Sequence, residues 1–498
     1  MSATPAALSP ARTELLSRPG LRPAHVALLA LAVLTLFRLW YCNWIELVPD
    51  EGYYWLWSKH LAASYRDKGP GIAFAIALGT WLFGDTVLGI RVVGVLLSAG
   101  TAWQLFRLAQ RLYDDRTALW CLGVATVMPL FAVGSILMTI DSLSVFFWAW
   151  ALNLFWTALE SGRMRHWAML GLAIGLGFLA KFTNGIQLVC IALFLLWSKP
   201  HRHFLVSRQS LVMVGVFGIC ALPILWWNLQ VGWVHAQALH SRSGAEGAFR
   251  LRPRELLRFL GEHAGVVSPL LMVGIIIAAI GLARSQSQDT RVRFLLCQLV
   301  PLYALFTFFS LNHAGKGNWP APALVAGTVV LVVFWRDFTT RRLPWRWAVY
   351  AGLGLAIVMT VGLHFAAVFP FIPDRVNPMR RLQGWPSLAE HVQQARRQTG
   401  IELLLGDHYG PTSLMQFYLP DHPPTYLPKA PYGSSQFTLW PGYNLVPGTQ
   451  ALYVTDNMKP LPPTLLQEFG ESRLLDDFWS MYRGRPSIHF RIYVLTHH

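Results

Sequence analysis

Apolar stretches of membrane-spanning length recur along this chain, and short Arg-bearing loops separate them in alternation. A spanning helix needs about 20 mostly apolar residues. Eleven segments approach that requirement: 25–45, 87–106, 117–134, 140–159, 167–182, 184–197, 209–228, 265–283, 294–310, 319–335 and 347–368. The 184–197 segment is short, and Asn184-Gly185 suits a re-entrant turn before it. The 71–83 stretch is apolar but shorter still, and fits a helix lying in the interface. A chain of this pattern is a polytopic α-helical membrane protein with about 11 transmembrane helices.

Composition agrees. Of 498 residues, 54% are hydrophobic and 13% charged, against about 25% charged in soluble domains. The net charge of +16 would suggest nucleic acid in a soluble protein. Here the basic residues sit mainly in loops, where they set orientation, so no nucleic-acid partner is expected. The five Cys residues lie in or beside apolar segments with no CxxC and no disulfide framework. Residues 1–24 are polar and carry Arg12, Arg18 and Arg22. No small-residue cleavage site clearly follows the first apolar run, so a retained span is expected rather than a signal peptide.

Lys and Arg fall in alternate loops: the N-terminal tail, then Arg107, Arg111 and Arg116, then Arg163 and Arg165, then Lys199, Arg202 and Arg208, then Arg284, Arg291 and Arg293, then Arg336, Arg341, Arg342 and Arg346. The positive-inside rule makes these loops cytoplasmic. Eleven spans then put the C-terminus outside. The opposite side collects 46–86, 135–141, 181–184, 229–264 and 311–318. The 229–264 loop breaks the charge bias with Arg242, Arg250, Arg252, Arg254 and Arg258. Those residues suit an anionic ligand or lipid head groups, and equally a solvated amphipathic helix.

After Pro370 the composition becomes that of a globular domain. Ser387–Gln398 predicts a helix with Ser387 near its N-cap, and Thr464–Phe469 a second, short one. Ile401–Leu405, Ala451–Thr455 and His489–Leu495 predict strands. The expected division is a cytoplasmic tail at 1–24, a transmembrane domain at 25–370 with an outer loop at 46–86, and a small extracytoplasmic α/β domain at 371–498.

The unusual polar residues concentrate on the expected outer side. Pro49-Asp50-Glu51-Gly52-Tyr53-Tyr54-Trp55 places two carboxylates at a membrane boundary, where they are costly unless water, a partner or a reaction uses them. The aromatic run with Tyr53 and Tyr54 suits stacking on sugar or lipid. An acidic pair at a helix N-terminus is the plainer alternative. Lys68 precedes the interfacial stretch, where it either meets a phosphate or snorkels as an anchor. Arg91 lies near the outer end of the second span. Asp141 opens the fourth and suits a helix cap. Lys181 follows fifteen mostly apolar residues, a placement that by default suggests function. His313-Ala314-Gly315-Lys316-Gly317-Asn318 is a Gly-rich turn that lets backbone approach a ligand while Lys316 adds charge, or is an ordinary connection. Together these residues describe one outer cavity with carboxylates that activate a hydroxyl and cations that hold a phosphate leaving group. No Walker motif, no GxGxxG within a βαβ unit, no HExxH and no GxSxG occurs.

In their order these motifs resemble the GT-C type polyprenyl-phosphate-sugar glycosyltransferases, in the bacterial branch of family 39 proteins and the lipid A aminoarabinose transferase. The motifs are Asp50-Glu51-Gly52-Tyr53-Tyr54, Asp67-Lys68-Gly69-Pro70-Gly71, Phe83-Gly84-Asp85 with Arg91, Thr139-Ile140-Asp141, Leu179-Ala180-Lys181, Trp227-Asn228 with Trp233-Val234, and Lys316 with Trp319-Pro320. In the C-terminal domain, Gly384-Trp385, Gln416-Phe417-Tyr418-Leu419-Pro420 and Ser435-Gln436-Phe437-Thr438-Leu439-Trp440 continue the match. The resemblance covers nearly the whole chain and implies a GT-C-like fold. It implies inverting transfer of one sugar from a polyprenyl-phosphate donor to an envelope glycan, lipid or protein acceptor, as in lipid A modification or protein glycosylation. Asp50 would be the main acidic residue, with Glu51 assisting it or helping to bind a cation. Lys68, Lys181 and Lys316 would hold the donor phosphate, Asp141 would shape the cavity, and Tyr53, Tyr54, Arg91 and His313 would contact substrate. With a phosphate acceptor, Asp50 would orient groups rather than take a proton. The resemblance fixes no cofactor and leaves a divalent cation open. Two departures stand out. The second motif reads Asp-Lys-Gly-Pro where the branch more often has Lys-Pro-Pro. His263 replaces a frequent Gln, beside Glu262; these two with Glu51 form only a weak metal set. The alternative function is a transporter or flippase for a lipid-linked sugar, although no internal repeat supports it. A non-catalytic assembly subunit is a third reading.

Overall fold

A computed structural model describes residues 22–234, 250–313, 315–339, 343–368, 382–428 and 435–497. Arg12, Arg18, Arg242, Arg341 and Arg342 of the sequence argument lie outside them. Lipid offers no hydrogen bonds to a backbone, so membrane-embedded segments satisfy their own as helices. Among the described residues between 23 and 368, every named element is a helix.

Six helices are long and apolar enough to cross a membrane: Pro23–Trp44, Val87–Leu112, Ile140–Ser161, Arg208–Val231, Thr290–Ser310 and Arg346–Ala366. Pro253–Val267 and Pro269–Ser285 form a pair bent by 103°, a seventh if it counts as one span. The other expected spans are shorter or interrupted. Met164–Ala180 and Phe182–Trp197 are short apolar helices. The 117–134 stretch divides into Asp115–Val127 and Pro129–Gly134, because Met128 is extended ahead of a proline. Gly71–Phe83 is a short helix whose Phe74, Leu78, Trp81 and Leu82 are exposed while Ile72, Ala73 and Ile76 are buried, as an interfacial helix requires. Exposed Leu29, Val33, Leu36, Leu211, Ile219, Leu222 and Val358 form the outward faces of three long helices. The chain is thus a multi-pass membrane protein.

Side-chain caps set where several helices begin. Thr86, Asp114, Ser207 and Asp289 each accept a hydrogen bond from a first-turn amide. The basic loops meet at one end of the bundle. Arg336 pairs with Asp114, Arg291 donates to the Leu112 carbonyl at 3.1 Å, and Arg111 pairs with Glu160. Glu160 ends the helix that Asp141 begins, so the candidate site lies at the opposite end from these cations.

The C-terminal domain is a five-stranded sheet in the order β2-β1-β3-β5-β4: β1 Leu403–Gly406, β2 Thr425–Tyr426, β3 Gln450–Thr455, β4 Glu471–Tyr482 and β5 Arg485–Thr496. β1 runs parallel to β2 and β3, and β5 antiparallel to β3 and β4. Arg483 and Gly484 join β4 to β5 with φ of 49° and 77°, the signature of a hairpin turn whose twist matches its strands. The helix predicted at 387–398 spans Trp385–Thr399 and is preceded by Gly384, not capped by Ser387. Ser387 Oγ instead accepts from the Met481 amide.

This domain shares a hydrophobic core with the loop after the first span. Trp55, Trp57, Tyr65 and Ile72 cluster with Trp385, Leu414, Met415 and Phe490. Glu46 accepts from the Gly384 and Trp385 amides at 2.6 and 2.9 Å. Trp55 and Trp57 are at most 1% exposed. Burying such aromatics contributes about 2–3 kcal/mol each, which makes the domain a fixed wall of the site rather than a tethered appendage.

Candidate active site

The Pro49–Lys59 helix carries the first motif, and its amide-rich start favours an acidic pair. Both ends of the helix are pinned to residues beyond it. At its far end, Asp85 accepts from Trp55 Nε1 at 2.8 Å and pairs with Lys59 at 2.5 Å. At its start, Glu51 meets Arg91. Arg91 Nε and Nη2 donate to the two Glu51 oxygens at 2.7 and 2.5 Å. The remaining guanidinium hydrogens go to the carbonyls of Cys42, Ile45 and Glu46. Glu51 also accepts from the Val48 and Met138 amides at 3.0 and 2.8 Å. Both side chains are 0% exposed.

That geometry corrects two expectations. Glu51 and Arg91 do not line the cavity described below. Every Arg91 donor is used, and each Glu51 oxygen accepts two bonds, so neither is available to a substrate. Their work is to clamp three segments: the end of the first span, the Asp50 helix and the turn before Asp141.

Asp50 is one residue along the helix, turned by about 100°. It is exposed to a cavity of about 940 Å³. Tyr409 of the C-terminal domain donates its hydroxyl to Asp50 Oδ1 at 2.9 Å. Lys68, Asp141, Lys181, His313, Lys316, Tyr53 and Tyr54 line the same cavity. Eight of the ten sequence candidates therefore converge.

Asp141 accepts from Lys181 Nζ at 2.7 Å on one oxygen and from Asn318 Nδ2 at 2.5 Å on the other. It thus ties the end of Met164–Ala180 to the turn after Thr290–Ser310. Lys181 is 9% exposed, so its charge is held at the cavity wall rather than snorkelling. Lys316 is exposed. Burial raises the Tyr53 and Tyr54 phenols above their ordinary values, so neither serves as a base near neutral pH; Tyr53 Oη accepts the Gln436 amide.

Two glycines bring these segments together. A Cβ at Gly69 would stand 2.1 Å from the Leu179 carbonyl oxygen, and one at Gly317 would stand 2.6 Å from the Glu262 carbonyl carbon. Only glycine allows either approach. The first delivers Lys68 beside Lys181, and the Asp-Lys-Gly-Pro departure is thereby compatible with a cationic wall. The second seats Lys316 against the Pro253–Val267 helix.

Glu262 and His263 brace the Gly317 turn, Glu262 pairing with Arg258 at 3.2 Å and accepting from the Gly317 amide at 3.3 Å. His263 Nδ1 faces the Gly317 carbonyl at 2.6 Å, so it carries the proton, and Nε2 accepts from Tyr303 at 2.8 Å. With Glu51 committed to Arg91, the Glu51–Glu262–His263 metal set does not assemble. Among the described residues, the one cluster of three metal-competent side chains lies outside the cavity lining.

Sequence reasoning gave no site role to four contributors: Arg38, Tyr409, Ser435 and, as a partner of Asp141, Asn318. Arg38 is 6% exposed at the end of the first span, and a charge inside an apolar stretch was the signal that could have found it. Tyr409 comes from a distant domain and carried no such signal, whereas Ser435 opens the Ser435–Trp440 motif, which marked the segment but not its place at the cavity. Away from the charges the cavity extends along apolar side chains including Leu105, Leu130, Val145 and Val325.

Comparison with known proteins follows this division. Residues 67–227 match the family model described as dolichyl-phosphate-mannose-protein mannosyltransferase. The lipid A galacturonosyltransferase RgtD of Rhizobium johnstonii is 26% identical over 406 residues, covering 80% of this chain and 84% of that protein. An undecaprenyl phosphate-alpha-4-amino-4-deoxy-L-arabinose arabinosyl transferase of Pseudomonas paraeruginosa is 30% identical over 310 residues, covering 56% of this chain and 53% of that protein. The match therefore spans about half the length of that second relative. The crystal structure of ArnT from Cupriavidus metallidurans bound to undecaprenyl phosphate superposes with a TM-score of 0.64 at 17% identity, covering 94% of this chain and 97% of that one.

The fold is that of ArnT. Over residues 67–227 and along its relatives, the chain is similar to membrane glycosyltransferases of the GT-C, polyprenyl-phosphate-sugar-dependent, ArnT-like kind.

Proposed function

We propose that this protein transfers a single sugar from a polyprenyl-phosphate carrier to an envelope acceptor, with inversion, on the extracytoplasmic face of the bacterial inner membrane. The supporting observation is the convergence of Asp50 with Lys68, Lys181 and Lys316 in one cavity that continues along apolar side chains. The sugar phosphate occupies the charged end and the prenyl chain the apolar end. The acceptor oxygen attacks the anomeric carbon, and the bond from that carbon to the phosphate oxygen breaks. Polyprenyl phosphate leaves, its growing charge met by the lysines. With a hydroxyl acceptor, Asp50 takes the proton and Tyr409 orients it. With a phosphate acceptor no base is needed, and Asp50 orients the incoming group.

Two observations support the extracytoplasmic side: the alternation of Lys and Arg, and the meeting of the basic loops at the other end of the bundle. On this reading residues 1–24 are cytoplasmic, 25–370 form the membrane domain and 371–498 stand outside. Lipid A is the first acceptor to test, because RgtD matches over most of its length and is named for lipid A. Other envelope glycans, lipids and proteins follow. The test is mass spectrometry of envelope lipids, glycans and proteins from a deletion strain and an Asp50→Asn strain. One glycosyl mass missing from both supports transfer. A mass missing only from the deletion turns the assignment to lipid-linked sugar transport.

A further inference from the structure

A second polar cluster stands in the C-terminal domain, outside the transfer cavity. Asp407 and His408 follow β1, and Asp456 follows β3, so all three occupy the C-terminal ends of two adjacent parallel strands. From β1 the chain goes to β2 on one side and returns to β3 on the other. That reversal leaves a crevice beyond the strand ends, the place where open α/β sheets take ligands. A cavity of about 580 Å³ opens there, lined also by Asn457, Lys459 and His489.

The side chains within it converge. His408 Nε2 lies 4.0 Å from Asp407 Oδ1 and 3.8 Å from Asp456 Oδ2, and one ligand-competent atom from each residue lies within 4.8 Å of the other two. Two ligands on a zinc ion at about 2.0–2.2 Å stand about 3.5 Å apart, so a small inward closure completes the set. Asp407 supplies an independent sign. It is 8% exposed, Thr455 Oγ1 donates to its Oδ2 at 2.7 Å, and its buried Oδ1 receives no N–H or O–H donor, facing the imidazole with the Asp456 carboxylate close by. A buried carboxylate oxygen left so is costly and calls for an explanation.

We propose that Asp407, His408 and Asp456 bind a divalent transition-metal cation, Zn²⁺ or Mn²⁺. An imidazole with two carboxylates is the mixed nitrogen–oxygen donor set these ions accept, imidazole favouring zinc and carboxylate favouring manganese. Three protein ligands leave a position open towards the 580 Å³ cavity. The Gly410 amide now donates to His408 Nδ1 at 3.2 Å, which puts the imidazole proton on Nε2. Binding moves that proton to Nδ1 and ends the contact with Gly410. The cation thus reaches the first turn of the Tyr409–Tyr418 helix, whose Tyr409 touches Asp50.

The test uses full-length protein purified in detergent without a polyhistidine tag, stripped with EDTA and dialysed against Zn²⁺ or Mn²⁺ alone. Elemental analysis reads the bound metal, and melting with and without metal reads its effect. One equivalent is expected in wild type and in Asp50→Asn, with a higher melting point in metal. Asp407→Asn and Asp456→Asn each weaken binding by about tenfold or more, and His408→Gln with Asp456→Asn loses the metal-dependent rise. Asp456 is the half-exposed member, so its variant keeps the test readable if Asp407→Asn fails to fold. Absence of saturable binding in wild type, or wild-type metal content in Asp456→Asn, overturns the assignment.

Discussion

Asp50 and Glu51 are neighbours in sequence and opposites in structure. Glu51 faces a sealed knot in which Arg91 and two amides use both its oxygens. Asp50 faces a cavity and touches one phenol. A helix turns about 100° per residue, enough to send one carboxylate into the scaffold and the next to the substrate. Asp141 and Arg91 extend the contrast: one charge shared at a cavity wall, the other enclosed. Removing a charge from the open region should therefore cost rate, and removing one from the sealed region should cost folding.

The largest effect is expected at Asp50. Asp50→Asn should lower turnover with a hydroxyl acceptor by about 10²–10⁴-fold while the purified protein melts as wild type. Next comes Arg91→Leu, which leaves Glu51 buried without its partner. Such a loss costs about 3–5 kcal/mol, read as poor yield and a lowered melting temperature. The paired Glu51→Leu/Arg91→Leu variant should recover part of that stability, because a buried charge pair exchanged whole for apolar residues is tolerated better than a broken one. Tyr409→Phe removes one hydrogen bond to a carboxylate, and should reduce turnover by about tenfold with little change in melting. Lys316→Met should give the smallest change. Losing this exposed charge should raise KM for the lipid-linked donor a few-fold, and added salt should shrink the difference between variant and wild type.

Much of this contrast was unreadable in sequence for a physical reason. The apolar periodicity announced a membrane bundle, and the spacing of charged motifs along it announced a common outer site. Neither told Asp50 from Glu51, because the side of the helix each takes depends on Arg91, forty residues on, and on carbonyls at 42, 45 and 46. Asp85 likewise entered only as part of a motif, and proves to fasten Trp55 and Lys59. Span lengths were blurred where prolines divide apolar runs, at Pro129 and Pro269. In the C-terminal domain the alternating strands β3 and β5 were visible. The Tyr409–Tyr418 helix and the two-residue β2 were not, since one begins after an unremarkable His and the other is too short to carry a pattern. Tyr409 was therefore out of reach: it reaches Asp50 across 359 positions of sequence.

The most direct test sets Asp50→Asn beside Glu51→Gln in one detergent, measuring melting temperature and turnover per folded molecule with a lipid-linked sugar donor. The account predicts a normal melt and collapsed turnover for Asp50→Asn, and a lowered melt with turnover per folded molecule near wild type for Glu51→Gln. A stable, inactive Glu51→Gln beside an active Asp50→Asn would contradict it.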